Sequence, residues 1–174
     1  MNLRTATIDD AEALVTLINK AYRGESGKRG WTTESDYLDG IRTDRADIEA
    51  IMGAENSVFL LLCGDQGAIV GSVNVRKRGD DCYLGMLTID PESQAGGLGS
   101  QLIQAAEHHA REVWASRKMT MTVLSVRSEL IGYYERRGYQ LTEERKPFSP
   151  GNGVFGVPRV EGLQFAVLEK TLTV

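Results

Sequence analysis

Three glycines stand close together in the run Gln94-Ala95-Gly96-Gly97-Leu98-Gly99-Ser100, directly before a stretch with helical apolar spacing. Glycine lets backbone N–H groups approach a ligand closely, and the start of a helix carries unpaired donors and about half a positive charge. Together these features suit a phosphate group. The order of residues narrows the ligand. A dinucleotide turn is written G-x-G-x-x-G and a P-loop needs Gly-Lys-Ser/Thr, and this run supplies neither. What stands is Gln-x-x-Gly-x-Gly, on Gln94, Gly97 and Gly99; a glycine-rich turn without a ligand is the plain alternative. A second chemical stretch is Tyr133-Tyr134-Glu135-Arg136-Arg137-Gly138-Tyr139. A phenol has a reference pKa near 10, so at neutral pH it keeps its proton and can donate it.

The elements around these residues fix where they act. Cys82-Tyr83-Leu84-Gly85-Met86-Leu87-Thr88-Ile89 reads as a strand, and Asp90-Pro91 breaks it because proline cannot donate to a ladder. Behind the glycines, Leu98, Leu102, Ala106, His109 and Val113 predict one face of a helix. Met119 to Leu124 predicts a fifth strand, and the helix between makes it parallel to the fourth. Upstream, Leu3 to Thr7 predicts a first strand. Thr7 with Asp10 gives a capping signal for a helix bearing Ala11, Leu14, Val15, Ile18 and Tyr22 and ending before Gly24. Thr33 with Asp36 predicts a short helix to about Leu38. Thr43 or Asp44 begins another through Ile51, which Gly53 stops. Ser57 to Cys63, Ala68 to Arg76 and the strand ending at Ile89 predict an antiparallel meander. Downstream come a helix over Ser128 to Arg137 and strands over Tyr139 to Glu144 and Leu163 to Leu172. Pro147 to Val160 reads as a loop. The class is α/β, a mixed sheet with helices on both faces, over a single domain 1–174.

The two chemical stretches, in this order and with a strand between them, resemble the GCN5-related N-acetyltransferases, the GNAT family. That family writes Arg/Gln-x-x-Gly-x-Gly/Ala after a strand, and later an aromatic-Tyr-Glu-Lys-x-Gly-Phe/Tyr segment. The resemblance covers Asp81 to Tyr139 closely and the remainder in outline. It implies the GNAT acyl-CoA N-acyltransferase fold: a mostly antiparallel central sheet whose parallel fourth and fifth strands splay apart to admit acetyl-CoA. It implies that Leu87, Thr88 and Ile89 contact the pantetheine through their backbones. It implies that Gln94, Ala95, Gly96, Gly97, Leu98, Gly99 and Ser100 wrap the pyrophosphate. Tyr134 falls on the family's catalytic tyrosine, which protonates the leaving thiolate; core packing is its alternative. Arg136 stands in the lysine's place, where it would meet a phosphate or solvent. Arg127 stands where the family usually has an asparagine touching pantetheine.

The implied reaction is transfer of an acetyl group from acetyl-CoA to a primary amine by direct attack. The amine belongs to a small molecule, an amino acid or a protein. An inactive acyl-CoA sensor or interaction module and an unrelated phosphate-binding domain are the competing classes. The acceptor side is expected around Glu25 to Tyr37, with the fourth strand and the Pro147 to Val160 loop. Glu34 is the leading base or amine-holding residue, with Glu25, Asp36 and Asp81 behind it. Trp31 walls the pocket or caps the core. The family also allows a homodimer.

Composition excludes little but orders the rest. The chain has 174 residues and a net charge of −4, long enough for a real core. No basic block points to nucleic acid. Mild acidity suits a cationic substrate or plain solubility. Cys63 and Cys82 have no C-x-x-C spacing and read as buried free thiols, not nucleophiles. No His, Cys and carboxylate cluster has metal spacing, and His108 and His109 read as solvent-facing or satisfied in place. The apolar run Val58 to Cys63 is too short to cross a bilayer, so a cytoplasmic location without membrane partners is expected.

Overall fold

The computed structural model describes residues 1–24, 32–93, 96–149 and 156–173. In chain order the elements are β1 (Asn2–Thr5), α1 (Ala11–Arg23), β2 (Leu38–Asp39), α2 (Arg45–Gly53), β3 (Ser57–Cys63), β4 (Ile69–Arg78) and β5 (Asp81–Ile89). Then follow α3 (Leu98–Glu112), β6 (Lys118–Leu124), α4 (Ser128–Glu135), β7 (Gln140–Pro147), β8 (Val157–Pro158) and β9 (Gln164–Thr171). Seven strands make one sheet in the order β1-β3-β4-β5-β6-β9-β7, and β2 pairs β8 apart from it. Only β5 and β6 are parallel neighbours; every other pairing in the sheet is antiparallel.

Helices cover both faces, as alternation along the strands requires. On one face Leu60, Leu62, Val73, Val75, Leu84, Leu87, Met119 and Met121 pack with Leu102, Ile103 and Ala106 of α3. On the other, Phe59, Leu61 and Met86 pack with Leu14 and Ile18 of α1 and Ile48 of α2. The start of α1 follows its sequence signal. Thr7 N–H donates to the Asp10 carboxylate at 2.8 Å, completing a capping box that closes a 3-10 turn over Ile8–Asp10 before the helix. Asp44 caps α2, its carboxylate accepting from Asp47 N–H at 2.8 Å.

Three expectations are corrected. The short helix expected from Thr33 does not form. Thr33 Oγ1 accepts from Ser35 N–H at 3.2 Å, one turn closes as Leu38 N–H donates to Glu34 O at 3.0 Å, and Leu38 then pairs with Pro158 in β2. A local side-chain bond and an edge pairing outcompete a helix this short. The buried stripe of α3 is Leu98, Leu102, Ile103, Ala106 and Ala110, and Val113 is exposed beyond the helix end. The expected stripe ran along one diagonal, whereas the helix packs on both neighbouring ones. The expected loop from Pro147 to Val160 holds β8, and β7 runs on to Pro147.

Candidate active site

The parallel strands part company early. β5 and β6 pair only at Asp81–Lys118, Cys82–Met119 and Tyr83–Thr120. Just beyond, the Tyr83 hydroxyl meets Thr122 Oγ1 at 2.6 Å, a side-chain bridge across the opening. The cause is a bulge in β5. Ser72 and Asn74 of β4 face Thr88 and Gly85, so β5 spends one residue more than its partner there. Met86 takes up the excess in a left-handed conformation at φ 52°. Such bulges bend the strand that carries them.

Past the bulge the backbone directions are fixed by pairing. Asp90 N–H donates to Val70 O at 2.8 Å, and Thr88 lies opposite Ser72. By alternation Thr88 turns its backbone to β4, while Leu87 and Ile89 turn theirs toward the opening. The Leu87 carbonyl accepts from the Tyr22 hydroxyl of α1 at 2.9 Å. Of the three residues expected to pair with a pantetheine, Thr88 is therefore directed away, its own hydroxyl donating to Met86 O at 2.9 Å.

The opening leads to the N-terminus of α3. Gly96 and Gly97 have φ of 90° and 73°, a conformation that disfavours any residue with a side chain. A Cβ added at either glycine would meet no atom within 4 Å, so both border open space. The first helical bond runs from Gln101 N–H to Gly97 O at 3.1 Å, and among the described residues no side chain caps this helix start. The amides of Leu98, Gly99 and Ser100 thus precede the intrahelical ladder. Arg137 Nε donates to Ser100 Oγ at 2.7 Å, and its guanidinium lies 3.4 Å from the centre of the Tyr133 ring. Arg137, not the exposed Arg136, is the cation beside this turn. Gln94 and Ala95 lie outside the described residues.

Tyr134 is 5% exposed and belongs to the same core as Leu87, Ile89 and Leu98. It makes edge contacts with Tyr133 and Tyr139, with centroids 5.5 and 5.9 Å away. Burial pushes its phenol well above the ordinary value of 10; the nearby Tyr22, Tyr133 and Tyr83 add to the rise and Arg127 opposes it. No hydrogen bond to its hydroxyl occurs among the described residues. The alternatives set by sequence, core packing and a protonated acid facing the opening, are compatible in one residue.

On the α1 and α2 face the opening meets a cavity of about 520 Å³. Its floor is Asn74, Arg76 and Arg78 of β4 with Tyr83 and Gly85 of β5; Tyr22, Arg23, Glu34, Leu38 and Arg42 wall it. Glu34 is buried at 9% exposure. Its Oε1 accepts from Arg23 Nη1 at 2.7 Å, and its Oε2 lies 4.0 Å from Arg127 Nη1. Arg127 thus joins a carboxylate at the position where the sequence departs from the resemblance. Asp36 is exposed and borders a neighbouring groove. Asp81 lies at the start of β5, 3.5 Å from Lys118 Nζ. Glu25 and Trp31 fall outside the described residues.

The cysteines stay out of the site. Cys63 and Cys82 are buried and free, and burial raises the Cys82 thiol, which sits 3.0 Å from Ser116 Oγ. His109 packs edge-on against Trp114, with centroids 4.6 Å apart. Among the described residues no group of three or more metal-ligating side chains occurs, and no helix is long and apolar enough to cross a membrane.

The sequence reading missed Tyr22, Asn74, Arg76 and Arg78; Tyr83 lies on β5, the fourth strand of that reading, which is expected on the acceptor side without this residue being singled out. Tyr22 counted as part of an apolar helix face, and Asn74 and Arg76 counted only as positions of a strand. Their even spacing opposite Val73 and Val75 was the available signal.

Comparison with known proteins gives concordant results. Residues 12–139 match the Acetyltransferase (GNAT) family. Blasticidin-S acetyltransferase of Streptomyces morookaense is 28% identical over 89 residues, which are 51% of this chain and 64% of that relative's length. The chain therefore spans less than two thirds of this curated relative. The crystal structure of smu.2055 from Streptococcus mutans UA159 superposes with a TM-score of 0.74 at 17% identity, covering 99% of this chain and all 100% of the other. A phosphinothricin acetyltransferase from Sinorhizobium meliloti in complex with AcCoA gives 0.70 at 15% identity, over 98% of this chain and 88% of that one. At these identities the structural likenesses establish the shared fold.

Proposed function

The chain belongs to the GNAT acetyltransferase family, and from that premise we propose that it transfers an acetyl group from acetyl-CoA to a primary amine of a small molecule. One observation carries the reading. β5 and β6 stop pairing after Tyr83, β5 leads on to a glycine turn bordered by open space, and residues of both strands past the split line a cavity of about 520 Å³. A cavity of that size suits a small molecule. Acetyltransferases of this fold and family bear the names of small-molecule acceptors, blasticidin-S and phosphinothricin among them.

The residues present fit acetyl-CoA as co-substrate. Gly96 and Gly97 leave room for a pyrophosphate against the amides that open α3, Arg137 adds a positive charge beside Ser100, and Leu87 and Ile89 offer backbone groups along the opening. The amine nitrogen bonds to the thioester carbonyl carbon and the C–S bond breaks. Tyr134 gives its proton to the departing sulfur, and the proton lost from the nitrogen leaves through the cavity to solvent. Glu34 has one oxygen committed to Arg23, so it holds groups in place and does not act as the base. Its other oxygen faces the cavity beside Arg127.

Calorimetry with acetyl-CoA and thiol release across an amine panel test this reading. Saturable binding with turnover of at least one amine is expected. Binding without turnover of any amine would make the chain an acyl-CoA-binding module, and no binding at millimolar acetyl-CoA would overturn the assignment.

A further inference from the structure

Among the described residues the cavity on the α1 and α2 face is lined by five arginines, Arg23, Arg42, Arg76, Arg78 and Arg127, against two carboxylates, Glu34 and Asp47. The chain as a whole carries a net charge of −4, so this positive lining is local and runs against composition. Glu34 is shared between Arg23 and Arg127, and Asp47 accepts from the Thr43 hydroxyl at 2.6 Å. Arg42, Arg76 and Arg78 meet no carboxylate within 4 Å among the described residues. Two of them rest on aromatic faces. Arg42 is 5.3 Å from the centre of the Tyr22 ring, and Arg78 is 4.2 Å from that of Tyr83. Arg76 has neither support, and among the described residues its Nε is sealed from solvent with no hydrogen-bond partner. Arg78 is itself exposed, so the free-energy cost falls on Arg76, whose guanidinium nitrogen is sealed from water without an acceptor. That cost is met where a ligand supplies the missing acceptors, and a guanidinium fork matches a carboxylate or phosphorus oxyanion.

We propose that the acceptor is an amine that also bears an oxyanion, held by Arg76 and Arg78 on β4 while the amine points to the opening beside Met86. The proposal rests on reading this cavity as the acceptor site. Register sets the scale. Arg76 lies opposite Tyr83, three residues before Met86, and three residues of strand span roughly 10 Å. An arginine side chain covers much of that distance, so the oxyanion stands a few carbons from the amine. A polycation is disfavoured at this wall.

The test compares kcat/KM for 4-aminobutyrate, glutamate and 3-aminopropylphosphonate with their amides or, for the phosphonate, its diethyl ester. Spermidine is included, and acetyl-CoA binding is measured by calorimetry alongside. At least one acid is expected to exceed its neutral counterpart tenfold or more, the scale of a hydrogen bond to a charged group. Whether carboxylate or phosphonate wins identifies the oxyanion. Arg76→Gln and Arg78→Gln should each remove most of that preference through KM, and Arg76→Lys should restore part of it, with acetyl-CoA affinity as the control for folding. Equal or better turnover of the neutral partners or of spermidine would overturn the proposal. So would failure of all three acids in a protein that binds acetyl-CoA, or a preference that survives both glutamine variants. Loss of acetyl-CoA binding in the parent protein would instead overturn the transferase reading itself.

Discussion

Tyr134→Phe removes one oxygen atom from the centre of the proposed site. The ring is 5% exposed and touches Tyr133 and Tyr139 edge-on, and phenylalanine keeps all of that packing. The hydroxyl makes no hydrogen bond among the described residues. The hydroxyl is not among the side-chain atoms sealed from solvent without a partner, so the variant should match the parent's stability within about 0.5 kcal/mol. That corresponds to a melting temperature unchanged within about 2 °C for a chain of this length. Turnover should respond far more strongly. Loss of a general acid typically lowers the rate about 10²–10⁴-fold, or roughly 3–5 kcal/mol in barrier height. Burial raises the phenol pKa, so the parent keeps this proton throughout the neutral range, and no alkaline fall in kcat below about pH 10 should come from this group. Single-turnover thiol release isolates the chemical step from product release. An unchanged single-turnover rate would refute the acid role, and a variant destabilised by more than about 2 kcal/mol would mean that the core needs the hydroxyl. Tyr133→Phe is the control and should be milder.

Gly97→Val forces a β-branched residue into a left-handed conformation at φ 73°, at roughly 1–2 kcal/mol, and its side chain would enter the open space at the turn. Acetyl-CoA affinity by calorimetry should fall at least tenfold, and unchanged affinity would show that the turn holds no phosphate. Glu34→Gln leaves Arg23 and Arg127, 6% and 9% exposed in their side chains, without their shared charge. Breaking a buried pair costs about 3–5 kcal/mol, and glutamine keeps one acceptor, so urea unfolding should show a loss of about 2 kcal/mol. Asp10 is lowered to about 2 by its hydrogen bonds to Arg4. A depressed carboxylate stabilises above its unfolded value near 4 and loses that stabilisation as pH falls through about 2. Because the Arg4 side chain is 38% exposed, the contribution is about 1 kcal/mol. Asp10→Asn should lose that much at pH 7, with a flatter stability curve between pH 4 and 2.

The strand and helix order was legible wherever local pattern and global packing agree. Ser57–Cys63 occurs as read, because both its faces are apolar and a turn follows. The capping signals of α1 and α2 also held, since each is satisfied within three residues. Thr33 to Leu38 failed because a pairing with Pro158, distant in sequence, took its last residue. The glycine turn and Tyr134 were legible as motifs. The acceptor wall was not, because Arg76 and Arg78 look like ordinary strand-end residues until the fold sets them on the cavity that α1 and the 32–42 segment help to wall.

The bulge at Met86 shows why the opening itself was hard to read. Cys82 and Leu84 face the α3 side of the sheet, and simple alternation would send Met86 there as well. Instead Met86 packs with Phe59, Leu61 and Ile18 on the opposite face, and Leu87 and Ile89 resume the α3 side. The apolar spacing on that side is therefore two, three, two. In the sequence this slip is masked, because Met86, Leu87 and Ile89 are all apolar and fit either phase. Its consequences are specific. The extra residue lets β5 leave β6 after Tyr83 and aims the backbones of Leu87 and Ile89 away from β4. It also brings the Leu87 carbonyl within reach of Tyr22, joining the helix that walls the acceptor cavity to the strand that borders the glycine turn. A regular ladder would pair β6 along its length and leave no passage between the two faces. One inserted residue thus parts two strands that a regular ladder would hold together, and the proposed chemistry depends on that parting.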